Sequence, residues 1–206
     1  MPNLPLYSQP DGPYPNPMDL LPAGKIAEAR ESYEGAIAHS VKDIVYVCSA
    51  MHECGADAII LDTVGAAGDP DFLAALMATE QLKAKYPDIC IELAMAGEFV
   101  LGMHGELTYQ GERLAGMYAH DQVRMAQKAG ATIFGPVCNT RVNKTAPWNT
   151  AHAITYTKAC CEITDIPIHV NMGMGVGAMT MHEHVPVDVS SRQSKAMVEI
   201  CRLDGL

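Results

Sequence analysis

The chain has 206 residues, 49% hydrophobic and 18% charged, which suits a single domain (1–206) with a sizeable core. Its net charge of −10 argues against a nucleic-acid partner and suits a cationic substrate. No apolar run is long enough to span a membrane, and no basic stretch leads into an apolar one as in a secretory leader, so a cytoplasmic protein is expected.

Seven cysteines without a C-x-x-C pair speak against a disulfide framework or a zinc ribbon, and reduced thiols are expected. In chain order, residues 1–22 carry Pro2, Pro5, Pro10, Pro13, Pro15, Pro17 and Pro22, an irregular segment with polyproline and turn character. Residues 23–54 space Ile26, Ala29, Tyr33, Ile37, Val41, Ile44 and Cys48 at three and four, which predicts one long helix or two short ones ending at Gly55. A first strand is predicted over 57–62. Asp69-Pro70 reads as an N-cap followed by proline and opens a helix that Pro87 stops. A second strand covers 89–95. The loop after it contains Thr108-Tyr109-Gln110-Gly111-Glu112, a small hairpin. A helix over 119–129 ends at Gly130, and a third strand covers 131–135. Pro147 opens a further helix to about Ile163, a fourth strand covers 167–171, and a last helix covers 187–201.

The pattern is βα repeated four times, with Gly55-Ala56-Asp57-Ala58-Ile59 and Gly130-Ala131-Thr132-Ile133 as like junctions from helix into strand. Arg202 to Leu206 looks like another, so a fifth strand is expected to begin there. The strand spacing is close to the unit of about 31 residues in a (β/α)8 barrel of about 250. The expected fold is α/β, a partial TIM barrel of about four units. A doubly wound open sheet competes, although Gly173-x-Gly175-x-Gly177 lacks the phosphate-binding spacing.

In both layouts the site lies at the carboxyl ends of the strands. Four strand ends break into glycine-rich loops there, and Ala94 to Gly105 is the most distinctive, with one carboxylate, Glu98, and one imidazole, His104. Asp62 and Glu98 are candidates for holding a cation, since opposite charges about 4 Å apart gain roughly 4 kcal/mol at an effective dielectric near 20. For Asp62 the alternative is a loop cap, and for Asp69 a helix cap. Asn139 and Asn171 offer hydrogen bonds to a ligand or to loop backbone. His182-Glu183-His184 invites a metal, but no third ligand is evident and a solvated loop is the better reading, so no metal site is expected. No serine or cysteine sits in a nucleophile elbow.

Taken together, Pro2-Asn3, Tyr7 to Pro17, Gly65-Ala66-Ala67-Gly68-Asp69, Met95 to Gly105, Phe134 to Thr140, His169 to Gly177 and Ser194 to Glu199 closely resemble the dimethylamine–corrinoid methyltransferases of methylamine-using methanogens and related anaerobes. The resemblance runs over essentially the whole chain. It implies a TIM-barrel methyltransferase that moves a methyl group from dimethylamine to the cobalt of a separate, cognate corrinoid protein, feeding methane formation. No cofactor is expected on this chain, which lacks the corrinoid-binding D-x-H-x-x-G. A homo-oligomer is expected at full length. The family protein is longer at both ends and carries pyrrolysine, encoded by an amber codon, directly after the stretch matching Leu203-Asp204-Gly205-Leu206. The resemblance therefore implies a truncated, inactive half barrel of marginal stability, its amber codon taken as a stop. Strand-end placement together with the resemblance makes Glu98 and Asp62 the catalytic candidates, to hold the ammonium group or move protons beside it, and Asn139, Asn171 and His104 are the candidates for substrate contacts. Two rivals stand beside it: another small-substrate TIM-barrel enzyme, for example a zinc-dependent one, and a non-catalytic product that associates through exposed sheet edges.

Overall fold

The computed structural model describes residues 1–2, 4–96, 105–136, 146–170 and 186–206. The proline-rich start is better ordered than its composition suggests. Leu4–Tyr7 forms a 3-10 turn, Ser8 bridges Tyr14, and a one-turn helix α1 (Pro17–Leu20) begins behind Asn16, whose side chain accepts from the Met18 amide at 3.0 Å. The segment is held because it has something to cover. Leu4 and Tyr7 are buried, and the Tyr7 hydroxyl donates to Asp43 at 2.8 Å.

That partner lies on α2 (Ile26–Glu53), a single helix of 28 residues. Its buried stripe of Ala29, Ser32, Ala36, Ile37, Ser40, Val41, Ile44 and Cys48 has the expected three-and-four spacing. It is followed by β1 (Ile59–Val64), α3 (Asp69–Lys85), β2 (Ile91–Met95), a hairpin of β3 (Thr108–Tyr109) and β4 (Glu112–Arg113), α4 (Ala119–Ala129), β5 (Ile133–Gly135), α5 (Ala146–Cys161) and α6 (Val187–Ala196), which runs into a π turn, Met197–Cys201. Gln110 and Gly111 both have positive φ, 49° and 83°, as a two-residue I′ hairpin requires.

The two like junctions have one geometry. Gly55 and Gly130 have φ of 91° and 95°. The next amides, Ala56 and Ala131, reach back to the carbonyls of Met51 and Ala126 at 3.1 and 3.0 Å, closing the helices in Schellman fashion. Around Gly55 there is open space, whereas a Cβ on Gly130 would lie 2.9 Å from Cγ of Lys83. Gly130→Ala is therefore expected to cost about 2 kcal/mol and Gly55→Ala about 1 kcal/mol, read as a difference in urea midpoints between the two variants. Equal costs would show that Lys83 does not crowd the turn.

β1, β2 and β5 form a parallel sheet in that order. Beyond β5, Ile168 bridges Phe134 and His169 bridges Gly205, both in parallel. The order follows the sequence without the reversal that marks a doubly wound switch point. Among the described residues the fourth expected strand is limited to these single bridges, and Pro167 offers no amide for pairing. Among the described residues the fold is thus mixed α/β, with a three-stranded parallel sheet and no closed barrel. One face of the sheet is covered: Ile59, Leu61, Val64, Ile91, Leu93, Phe134 and Ile168 are buried, with α2 and α3 packed against β1. The other face carries Ile60, Glu92, Ala94, Ile133, Gly135 and His169, and Ile60 is 49% exposed on it.

Candidate active site

The carboxyl end of β1 is irregular. Pairing runs Ile59 with Ile91, Ile60 with Glu92 and Leu61 with Leu93, but Val64 then pairs with Met95, so β1 carries one extra residue at Asp62-Thr63. Thr63 takes a φ of 59°. Such bulges re-aim side chains at sheet rims. The result here is an exposed Asp62 whose Oδ1 accepts from the Thr63 amide at 2.7 Å. Asp62 therefore acts as a local cap, and the chain's own amino group donates to its carbonyl at 3.1 Å.

The Gly65–Gly68 turn that follows is held by a residue the sequence reading passed over. Asp71 is buried, and its Oδ2 accepts from the Gly65 amide at 2.9 Å. Among the described residues its Oδ1 has no hydrogen-bond partner. Burial pushes its carboxyl up to about 6, against the pull of the Gly65, Ala67 and Ala66 amides and the chain's amino group. Asp69 does not cap α3 as expected. The cap position falls on Gly68, whose φ of 89° and ψ of −158° suit glycine, and Asp69 is the first helical residue. Its side chain is buried instead, which raises its carboxyl, with the Arg113 charge opposing. A Cβ on Gly105 would lie 2.0 Å from Asp69 Oδ2, and Arg113 Nε donates to the Gly105 carbonyl at 2.7 Å. Asp69 and Arg113 thus fix the point at which the chain returns from the 97–104 segment.

On the open face of the sheet, His169 Nδ1 lies 2.7 Å from Oε1 of Glu92. The Glu92 side chain is 13% exposed and that of His169 37%. The two residues belong to strands separated by β5, and the pair passes over Gly135, where a Cβ would lie 3.2 Å from Glu92 Oε1. The signal in the sequence is the alternation Ile91-Glu92-Leu93 and Ile168-His169-Val170, which puts one polar side chain opposite two buried ones.

Of the candidate residues, the structure places Asp62. Glu98, His104, Asn139 and Asn171 lie outside the described residues, as do His182 and His184. Among the described residues no group of three His, Cys, Asp or Glu is placed to hold a metal ion. The six described cysteines are free thiols, and burial raises Cys48, Cys161 and Cys201. No described helix is long and apolar enough to cross a membrane.

A family model described as dimethylamine methyltransferase matches residues 1–206. The chain belongs to the dimethylamine methyltransferase family. It is a methyltransferase by that membership. No solved structure matches the chain. The expected family is therefore shown by the match over residues 1–206.

Proposed function

We propose that this methyltransferase takes dimethylamine as substrate and delivers one methyl group to the cobalt of a corrinoid carried by a separate protein, releasing methylamine. The observation that carries the reading is the family match over the whole chain. The reading extends to the fold: the sequential parallel order, with helices on one face of the sheet, supports part of a (β/α)8 barrel whose interior is the open face.

The chemistry then belongs at the carboxyl ends of the strands. The described rim there is built of small residues, Gly65, Ala66, Ala67 and Gly68, beside an exposed Asp62. Small side chains permit the close approach that a flat macrocycle on a partner protein needs, and an acidic rim suits an ammonium substrate, so these residues fit both reactants. When bound on its partner, the corrinoid cobalt supplies the methyl acceptor. Asp62 offers its charge to the incoming ammonium, and Glu98 is assigned to hold that ammonium next to the acceptor. Asn139, Asn171 and His104 are assigned hydrogen bonds to the amine or to the backbone around it.

The pyrrolysine that the resemblance implies would follow Leu206. Gly205 pairs with His169, and a Cβ on Gly205 would lie 3.3 Å from the imidazole Cδ2, so Gly205 is on the open face. By strand alternation, the residue after Leu206 would fall on that face too. A cytoplasmic homo-oligomer working in methane formation from methylamines completes the proposal.

The test uses the protein as its host makes it. Intact mass and peptide sequencing across Leu206 are expected to find a longer product with a lysine derivative at the next position. With its reduced corrinoid protein, that product is expected to methylate cobalt, seen in the visible spectrum, and to release methylamine only when dimethylamine is present. Cobalt methylation that is independent of dimethylamine would overturn the substrate assignment.

A further inference from the structure

The Glu92–His169 pair is built with unusual care for a structural contact. Neighbouring strands lie about 4.8 Å apart, so residues two strands apart are separated by about 10 Å. A glutamate and a histidine span that gap when the strand between them carries no side chain. Gly135 provides that opening, and the neighbouring residue on β2 is only Ala94, whose Cα and Cβ would both lie 3.3 Å from a Cβ on Gly135. On the other side His169 faces Gly205. The imidazole thus stands on the open face, beside Gly205 and bonded to a carboxylate that reaches over Gly135.

An ionised Glu92 selects one tautomer of the neutral ring. An ionised carboxylate is only an acceptor, so Nδ1 of His169 carries the proton and donates to Glu92. In the neutral ring Nε2 is then an acceptor. Among the described residues nothing bonds Nε2. When the ring is neutral, the carboxylate behind it leaves the pair with a net negative charge, which favours a cation over an anion. Simple alkylamines resemble the lysine ammonium and are protonated at neutral pH. A small ammonium with at least one N–H meets both requirements: it matches the charge, and it donates to Nε2.

We propose that His169 Nε2 is a binding group for the protonated substrate amine, accepting one of its N–H bonds on the open face of the sheet, and that Glu92 is the positioning residue that fixes the ring and its tautomer. This rests on dimethylamine being the substrate, and it adds two residues to those already assigned. A site of this kind distinguishes amines with an N–H from quaternary ones, because only the former can bond Nε2.

The experiment measures dimethylammonium binding by calorimetry and the KM and kcat of the full-length, natural protein with its corrinoid partner. His169→Leu removes the acceptor and is expected to raise both Kd and KM about ten- to a hundredfold, with a smaller change in kcat. His169→Gln returns an acceptor near the place of Nε2 and is expected to recover most of the loss. Glu92→Gln keeps an acceptor for Nδ1 but removes the charge, and a several-fold loss is expected. Nitrogen NMR of the natural protein is expected to show His169 protonated at Nδ1, with Nε2 moving on addition of dimethylammonium and not of tetramethylammonium. This readout needs no variant to fold. Variants within twofold of the natural protein, or an Nε2 signal indifferent to dimethylammonium, would overturn the proposal while the natural enzyme still turns over. A natural enzyme that neither binds dimethylammonium nor transfers its methyl group would instead sink the substrate reading itself.

Discussion

Phe134→Ala is expected to cost about 3–5 kcal/mol, a large share of the roughly 5–15 kcal/mol that holds a typical domain together. Phe134 is fully buried on the covered face of β5, in register with Leu93 of β2 and beside Ile168. Its backbone also carries the fourth strand, since the Phe134 amide donates to the Pro167 carbonyl at 3.0 Å and its carbonyl accepts from the His169 amide at 3.1 Å. The ring therefore packs at the place where the sheet passes from three regular strands to single bridges. Removing it leaves a void that the neighbours, themselves in strands, can close only in part. Phe134→Leu, which keeps much of the volume, is expected to cost about 1–2 kcal/mol. Urea midpoints of the three proteins measure both values. A cost below about 1 kcal/mol for the alanine variant would mean that this face is not packed in solution.

Legibility in the sequence followed the range of the interaction. Features set by a few neighbouring residues were readable. Gly55 and Gly130 end their helices because no other residue takes that φ cheaply, and Gln110-Gly111 makes a hairpin for the same reason. Helix α4 has both predicted ends, and β1 differs from its predicted range by a shift of two residues. Features that depend on packing were less readable. The prolines near the start suggest an irregular segment, yet burial of Leu4 and Tyr7 against α2 gives it a fixed course. Asp69 looks like a cap because its type and the following proline fit one, but Gly68 takes the cap geometry and leaves Asp69 to be buried beside Gly105. The Glu92–His169 pair spans 77 residues of sequence and depends on the strand order, which spacing alone does not give. Only its polar-between-apolar alternation was on view. In the candidate site, Asp62 was found as a residue, but the bulge that turns it outward comes from a register shift against β2.

Asp71 gives the largest expected dependence on pH. Its carboxyl is raised to about 6, first by burial, while the amides of Gly65, Ala67 and Ala66 work the other way. A raised acid binds its proton more tightly in the folded chain than in the unfolded one. Folding therefore gains from this group below the ordinary aspartate range, and the gain is lost as pH rises through about 6. The loss between about pH 4 and pH 7 is expected to be on the order of 2–3 kcal/mol. Asp71→Asn cannot ionise and keeps a carbonyl oxygen for the Gly65 amide, so it should not show this loss. Urea unfolding of the two proteins across that range isolates the effect, because every other carboxylate is common to both. The natural protein is expected to lose ground to the variant as pH rises and then to run parallel to it. A difference that does not change with pH would show that Asp71 is not protonated preferentially in the folded state. The turn it holds lies directly after Asp62 and Thr63. Asp71→Asn keeps an oxygen for the Gly65 amide and leaves Asp62 in place, so it separates the charge at Asp71 from the charge on Asp62.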